Sequence, residues 1–214
     1  MIGIYYIATG SYKVYLDGFV RSLALFRVGE AKRLVLLTDE EVDTSGYDIE
    51  VEQHRVSDAP WPIVTLLKMW YIAKYRGEYE EVYYFNANCQ VVADIPACEG
   101  RMLLTRHTHS LGGDDGHVFL KVADDDPRSY AYIGVHDYVY VQGGFFGGAA
   151  EVVYAMCDDV GRWVERDLLC RVVPKWHDES YLNRWWTMHG ERCKVVNVWD
   201  CVRLVRNPKF VPKK

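Results

Sequence analysis

The sequence predicts an α/β fold whose central sheet is mostly parallel. Short apolar runs rich in Ile, Val, Leu and Tyr alternate with helical apolar patterns, and polar turns follow the runs. The chain has 214 residues, of which 50% are hydrophobic, which is the size of one compact domain with a sizeable core. We therefore expect a single domain over 1–214, with a basic tail at 203–214.

The first half of the chain alternates strands and helices. Strands are predicted over 2–8, 33–38, 47–56 and 81–85, and helical spacing connects Tyr15 with Phe26. A second helical face follows Pro62 and comprises Ile63, Leu66, Leu67, Trp70 and Tyr71. The strand over 81–85 stops at Asn86-Ala87-Asn88. Because ligands of parallel sheets gather at the carboxyl ends of strands, this turn is a candidate binding site.

The second half contains one long loop and two helices. Gly and Asp dominate 112–127, which indicates a surface loop. A strand is predicted over 138–146 and an amphipathic helix over 152–164, and a last helix starts near Asp178 and ends near Gly190.

Composition excludes several classes of protein. The net charge of −5 gives no general attraction to nucleic acid or anionic lipid. No stretch approaches the ~20 apolar residues of a membrane span, and no signal peptide precedes the first strand, so we expect a soluble, cytoplasmic protein. Six cysteines never form C-x-x-C, which predicts free, mostly buried thiols.

A glycine-rich run, Gly143-Gly144-Phe145-Phe146-Gly147-Gly148, overlaps the strand over 138–146. It has neither the G-x-G-x-x-G spacing of a dinucleotide site nor the Lys-Ser/Thr of a P-loop. Such glycines either let the backbone approach a ligand closely or form a bulge in the strand. The sequence leaves both interpretations open.

The segment Trp176-His177-Asp178-Glu179-Ser180 combines an aromatic ring, an imidazole and two carboxylates at the start of a predicted helix. Dense polar groups beside a Trp are typical of a sugar site. A carboxylate in the first helical turn is stabilised by the helix dipole and suits a nucleophile or a stabiliser of positive charge. The alternative is ordinary N-capping by Asp178.

A metal site has little support in the sequence. His107 and His109 form H-x-H, but no third ligand follows at a recognisable spacing. The run Asp124-Asp125-Asp126 does not follow the spacing of a calcium loop, and we interpret it as a solvated surface.

Taken together, these motifs resemble glycosyltransferase family 6, which includes the histo-blood-group A and B transferases and the α-1,3-galactosyltransferases. The segment 176–184 resembles the family's W-H-D-E-S-x-L-N-K/R. The run at 143–148, the helix start at Trp61 to Leu66 and the strand end at 85–88 follow the family's order and separations.

The resemblance implies a single-domain GT-A type fold and retaining transfer of galactose or N-acetylgalactosamine from UDP to the 3-hydroxyl of a terminal β-galactoside. It implies that Glu179 is the catalytic carboxylate. The implied donor-binding positions are Ile7, Ala8, Tyr12, Lys68, Asn86, Asn88, Gln142, Gly143, Gly144, His177 and Asp178. The implied acceptor-binding positions are His107, Trp176, Glu179 and Asp200.

One departure from the animal members concerns the metal. They carry Asp-x-Asp for manganese, whereas this chain has Asn86-Ala87-Asn88, as bacterial members do. Neutral amides hold a hard divalent cation weakly, so we expect no metal and no other cofactor. The charge on the leaving UDP then needs a cation, for which Lys68 and the tail residues are candidates. Those in the tail are Arg206, Lys209, Lys213 and Lys214.

The sequence therefore predicts a metal-independent glycosyltransferase whose partners are a UDP-sugar and a galactose-terminated oligosaccharide. Gln142 and Gly144 align with the family's donor-selecting pair, and a Gly there favours UDP-N-acetylgalactosamine over UDP-galactose. The sequence does not choose between double displacement and a same-face mechanism. A UDP-sugar hydrolase and a carbohydrate-binding protein without transfer activity are the alternative functions.

Overall fold

The computed structural model describes residues 1–107, 126–134, 139–198 and 201–205. Within these ranges the protein has an α/β fold, as predicted, with one seven-stranded and one two-stranded sheet. The strands are β1 (Ile2–Ile7), β2 (Lys32–Thr38), β3 (Glu50–Arg55), β4 (Glu81–Phe85), β5 (Cys89–Val91), β6 (Met102–Arg106), β7 (Val141–Ala149), β8 (Cys193–Val196) and β9 (Val202–Leu204). The α-helices are α1 (Leu16–Ser22), α2 (Ile63–Leu66), α3 (Lys68–Lys74), α4 (Ala150–Leu169) and α5 (Asp178–Met188).

The order of strands in the large sheet is β3-β2-β1-β4-β7-β6-β8. All neighbouring pairs are parallel except those that β7 makes with β4 and β6, which are antiparallel. The sheet is therefore mostly parallel, as expected. Because β7 alone runs the opposite way, it begins at the edge where the other six strands end, and this reversal brings its first residues to the predicted ligand edge.

Apolar side chains cover both faces of the sheet. Every residue of β1 is buried, which matches a strand with a core on each side. Tyr5 and Ile7 pack on the face beneath α3, α4 and α5, whereas Ile4 and Tyr6 pack on the opposite face with α1 and β5. This double burial explains why β1 reads as a continuous apolar run rather than an alternating one.

The predicted elements are present, with corrections. The helix predicted from Tyr15 is α only over Leu16–Ser22 and is flanked by 3₁₀ turns at Gly10–Tyr15 and Leu23–Leu25. Trp70 was placed on a buried helix face, which is wrong, because its side chain is 41% exposed. The two positions expected to begin the tail, Arg203 and Leu204, belong to β9.

The sequence analysis assigned no strand to β5, β6, β8 or β9. All are short, and β5 and β9 have only three residues each. Strand β6 is almost entirely buried between β7 and β8, so it lacks the alternation that identifies a half-buried strand.

All six cysteines are free, and four of them are buried: Cys89, Cys98, Cys157 and Cys193. Cys170 is exposed and Cys201 is intermediate. The prediction of free, mostly buried thiols is thus confirmed. Among the residues described here, none of the helices has the length and apolarity that crossing a bilayer requires.

Several sequence predictions fall outside the described residues. They are the loop over 112–125, His109, Asp124, Asp125, Asp200 and the four tail cations Arg206, Lys209, Lys213 and Lys214.

The structure confirms a bulge in the glycine-rich run, whereas the approach of these glycines to a ligand stays a prediction. The register between β6 and β7 shifts at Leu104/Thr105, where Leu104 faces Phe146 and Thr105 faces Gln142, so this part of β7 is bulged. Further along, Gly147 lies opposite Tyr83 of β4, and a Cβ there would come within 2.6 Å of the Val82 carbonyl oxygen. The second pair of glycines thus serves close approach between strands.

We predict that Gly147→Ala lowers the free energy of unfolding by about 3 kcal/mol, since a backbone carbonyl cannot swing away from the added methyl group. Urea unfolding measures the change. Gly46→Ala is the matched control, because its Cβ would meet nothing within 4 Å. Equal unfolding midpoints for the two variants would contradict the prediction.

Candidate active site

A cleft opens at the edge of the large sheet where β1 and β4 end. Its walls come from the end of β1, the segment before α2, the first turns of α2 and α3, and the turn after β4. Residues that line it include Ile7, Thr9, Tyr12, Asp58, Trp61, Thr65, Lys68, Tyr84, Asn86 and Asn88. The backbone N–H of Asn86 donates to the carbonyl of Gly144 at 2.9 Å. This bond joins the end of β4 to the reversed strand β7.

A buried ion pair lies beside the cleft. Lys68 Nζ is 2.7 Å from Asp178 Oδ2, donates to the carbonyl of Gly143 at 2.8 Å and lies 4.8 Å from the centre of the Tyr84 ring. The Lys68 side chain is almost fully buried. Burial by itself lowers the pKa of Lys68, but the adjacent Asp178 carboxylate outweighs burial and leaves that pKa above its usual value.

The ion pair with Asp178 limits the positive charge that Lys68 brings to the cleft. The ammonium is balanced by the Asp178 carboxylate, so the pair adds little net positive charge to the cleft. The sequence analysis predicts that Lys68 binds the donor and considers it as a cation for a leaving diphosphate. The structure places it in the wall of the cleft, where it is paired with Asp178.

Glu179 lies in the first turn of α5 and is half-buried. Its Oε1 accepts the backbone N–H of Gly143 at 3.2 Å, and its Oε2 accepts the hydroxyl of Tyr140 at 3.1 Å. Gly143 belongs to β7, and Tyr140 directly precedes that strand. Charge-assisted hydrogen bonds of this kind stabilise the ionised carboxylate.

The side chain of Asn183 fixes the start of α5 against β7. Its amide donates to the carbonyl of Val141 at 2.7 Å and accepts the N–H of Val141 at 2.9 Å. It also donates to the carbonyl of Glu179 at 2.8 Å. One buried amide therefore sets the distance between Glu179 and the strand that supplies its donors.

His177 forms the sharp turn into α5, with a positive φ of 52°. Its ring packs edge-on against Trp61 at 4.6 Å, which joins the two sides of the cleft, and Trp61 is 70% exposed. The half-buried Trp176 donates its N–H to Ser180 Oγ at 3.0 Å. The alternative of N-capping by Asp178 is wrong, because helix α5 begins at Asp178 itself and the carboxylate pairs with Lys68.

The turn after β4 presents amide groups rather than carboxylates. Tyr84 donates its hydroxyl to Asn86 Oδ1 at 2.9 Å. Burial raises the pKa of Tyr84 to about 12, so the hydroxyl keeps its proton at neutral pH. The side-chain amide oxygen of Asn86 thus already accepts a hydrogen bond, and the side-chain N–H groups of Asn86 are donors for a ligand. Within the described ranges, no group of three His, Cys, Asp or Glu side chains could hold a metal ion.

Other predicted site residues lie at the expected edge. The side chain of Tyr12 is 45% exposed in the cleft, whereas Ala8 is fully buried and Thr9 lines the wall instead. Gln142 is nearly buried, and its Oε1 would be 3.3 Å from a Cβ on Gly144. His107 donates its backbone N–H to the Tyr140 carbonyl at 3.0 Å, so it lies near Glu179 through Tyr140.

Sequence reasoning missed Tyr140, Tyr84, Thr9 and Asp58 as site residues. Tyr84 and Tyr140 sit within apolar strand patterns, where a tyrosine is interpreted as core. The one available signal for Tyr140 is its place three residues before the glycine-rich run.

Two comparisons with known proteins point the same way as this geometry. The sequence profile of glycosyltransferase family 6 matches residues 122–207, which include the glycine-rich run and the start of α5. The chain is also similar to the O-antigen biosynthesis glycosyltransferase WbnI of Escherichia coli, with 28% identity over 191 residues that cover 86% of this chain and 80% of that protein. The segment matched by the family profile carries Glu179, its two hydrogen-bond donors and Asp178, the partner of Lys68, and it is over this segment that the chain is similar to glycosyltransferase family 6.

Proposed function

We propose that this glycosyltransferase moves N-acetylgalactosamine, or galactose, from the UDP-sugar to the 3-hydroxyl of a terminal β-galactoside. The anomeric configuration is retained and no metal ion is required. The observation that carries this proposal is the Glu179 carboxylate, which is held by two hydrogen bonds at the edge of the cleft.

The cleft offers a suitable surface for the UDP part of the donor. The aromatic ring of Tyr12 and the side chain of Ile7 provide apolar faces for a uracil ring, and Thr9 adds a hydroxyl. Asp178, which the ion pair with Lys68 holds in place, is an acceptor for a sugar hydroxyl. The exposed ring of Trp61 adds an apolar surface at the mouth.

The bond between the anomeric carbon of the sugar and UDP breaks, and positive charge develops on the sugar ring. The negative carboxylate of Glu179 faces this charge. The electron pair of that bond leaves with UDP, and the acceptor hydroxyl forms the new bond and passes its proton to the departing UDP oxygen. Glu179 either forms a transient adduct or stabilises the positive charge on the ring. Both routes need an ionised carboxylate held in place, and the hydrogen bonds from Tyr140 and Gly143 hold it.

The absence of a metal requirement rests on Asn86. With its carbonyl oxygen bonded to Tyr84, Asn86 offers N–H donors, which suit diphosphate oxygens and repel a cation. The charges of Lys68 and Asp178 cancel each other. We therefore propose that the negative charge of the leaving UDP is neutralised by the tail residues Arg206, Lys209, Lys213 and Lys214.

We predict that Glu179→Gln lowers kcat by on the order of 100-fold or more while UDP-sugar binding is nearly unchanged, because an interaction specific to the transition state is lost. The assay measures transfer to lactose, together with UDP release in the absence of acceptor, which separates hydrolysis from transfer. Glu165→Gln, an exposed carboxylate on α4, is the control. A Glu179→Gln enzyme that bound donor poorly but turned over at the normal rate would refute the catalytic role.

A second prediction concerns metal ions. Transfer by the wild type should continue in EDTA at an undiminished rate, because amide side chains hold a hard cation weakly. The matched variant Asn86→Asp/Asn88→Asp supplies carboxylates at the same turn and should bind manganese measurably more tightly. Loss of wild-type activity in EDTA, with recovery on adding manganese, would overturn the metal-free proposal.

A third prediction concerns the choice of donor. We expect kcat/KM to be higher for UDP-N-acetylgalactosamine than for UDP-galactose, because Gly144 leaves room for the acetamido group. Gly144→Ala should reduce this preference, since its Cβ would crowd the amide of Gln142, at 3.3 Å, and push it toward the sugar. A wild-type preference for UDP-galactose, or a variant with unchanged preference, would count against this assignment.

A further inference from the structure

Tyr140 is a buried tyrosine whose hydroxyl meets the proposed catalytic carboxylate. Its side chain is 5% exposed, and the hydroxyl donates to Glu179 Oε2 at 3.1 Å. From this contact we propose that Tyr140 is the positioning residue that sets the orientation of Glu179 and favours its ionised form. The inference rests on the proposed catalytic role of Glu179.

The two donors to Glu179 act as a pair. Tyr140 precedes β7 directly, and Gly143 lies three residues further along the same segment. The Tyr140 hydroxyl binds one carboxylate oxygen, and the Gly143 N–H binds the other. A carboxylate with one donor can rotate about its last bond, whereas two donors from one rigid segment fix its plane.

Tyr140 is itself held in place from neighbouring elements. The backbone N–H of His107, just beyond β6, donates to the Tyr140 carbonyl at 3.0 Å, and the His107 ring packs edge-on against the Tyr140 ring at 5.7 Å. On the other side, Trp186 of α5 donates its indole N–H to the carbonyl of Val139 at 3.1 Å. The hydroxyl therefore has a defined position before any ligand binds.

Two charged side chains, Asp178 and Lys68, lie near Glu179. Asp178 is the adjacent residue and would repel a second carboxylate, but Lys68 balances its charge. Lys68 also attracts Glu179 through space, although its hydrogen bonds go to Asp178 and Gly143. The Tyr140 hydroxyl, in contrast, donates a hydrogen bond directly to Glu179.

Tyr140→Phe removes one oxygen atom and leaves the packed ring. We expect kcat for transfer to lactose to fall by about 10- to 100-fold, the scale of one hydrogen bond to a charged group. The KM for the UDP-sugar should stay within roughly threefold, because the ground-state contacts of the donor are unchanged. Tyr154→Phe is the matched control, since its hydroxyl bonds to Tyr5 and Gly77 away from the cleft.

The decisive measurement repeats Tyr140→Phe in the Glu179→Gln background. If Tyr140 acts through Glu179, the second substitution there should lower the residual kcat by less than roughly threefold. A full 10- to 100-fold loss in both backgrounds would overturn the proposal, as would a Tyr140→Phe enzyme with wild-type kcat alongside an inactive Glu179→Gln enzyme. Wild-type kcat in Glu179→Gln itself would instead refute the proposed function. Urea unfolding of both Phe variants verifies that each is folded.

Discussion

The buried ion pair between Lys68 and Asp178 is the interaction on which the site depends. It joins α3 to α5 beneath the cleft, and its ammonium also binds the carbonyl of Gly143 at the start of β7. Removing one partner of such a pair leaves an uncompensated buried charge, at a cost of about 3–5 kcal/mol. The pair also explains why position 143 is a glycine, because a Cβ there would overlap Asp178 Oδ2.

The same geometry gives two adjacent carboxylates different roles. Successive residues of a helix point about 100° apart, so Asp178 turns toward Lys68 while Glu179 turns toward Tyr140. The backbone of Gly143 serves both sides: its carbonyl accepts from Lys68, and its N–H donates to Glu179. A single peptide segment thereby sets the relative position of both acidic groups.

Electrostatics at the cleft differ from those of a metal site. The turn after β4 carries amides, and the one buried cation beside it is already balanced by Asp178 within the described residues. Under the proposed function, the charge on a departing diphosphate would be met by hydrogen-bond donors of this turn and by cations from other parts of the chain.

The sequence alone determined the elements with strong local patterns. Apolar spacing and turn residues predict buried β1, strand β4, amphipathic α4 and the start of α5 at Asp178. The motif at 176–184 indicates the resemblance to glycosyltransferase family 6. Tertiary structure alone decided that β7 is antiparallel to its neighbours, that Lys68 forms an ion pair with Asp178, and that the Tyr140 hydroxyl donates to Glu179. Those outcomes join residues far apart in the chain: 110 positions separate Lys68 from Asp178, and 39 separate Tyr140 from Glu179. Periodicity predicts whether a side chain is buried but not which residue it contacts. The contacts of Lys68 and Tyr140 depend on the order of strands in the sheet, which brings both residues to the same edge.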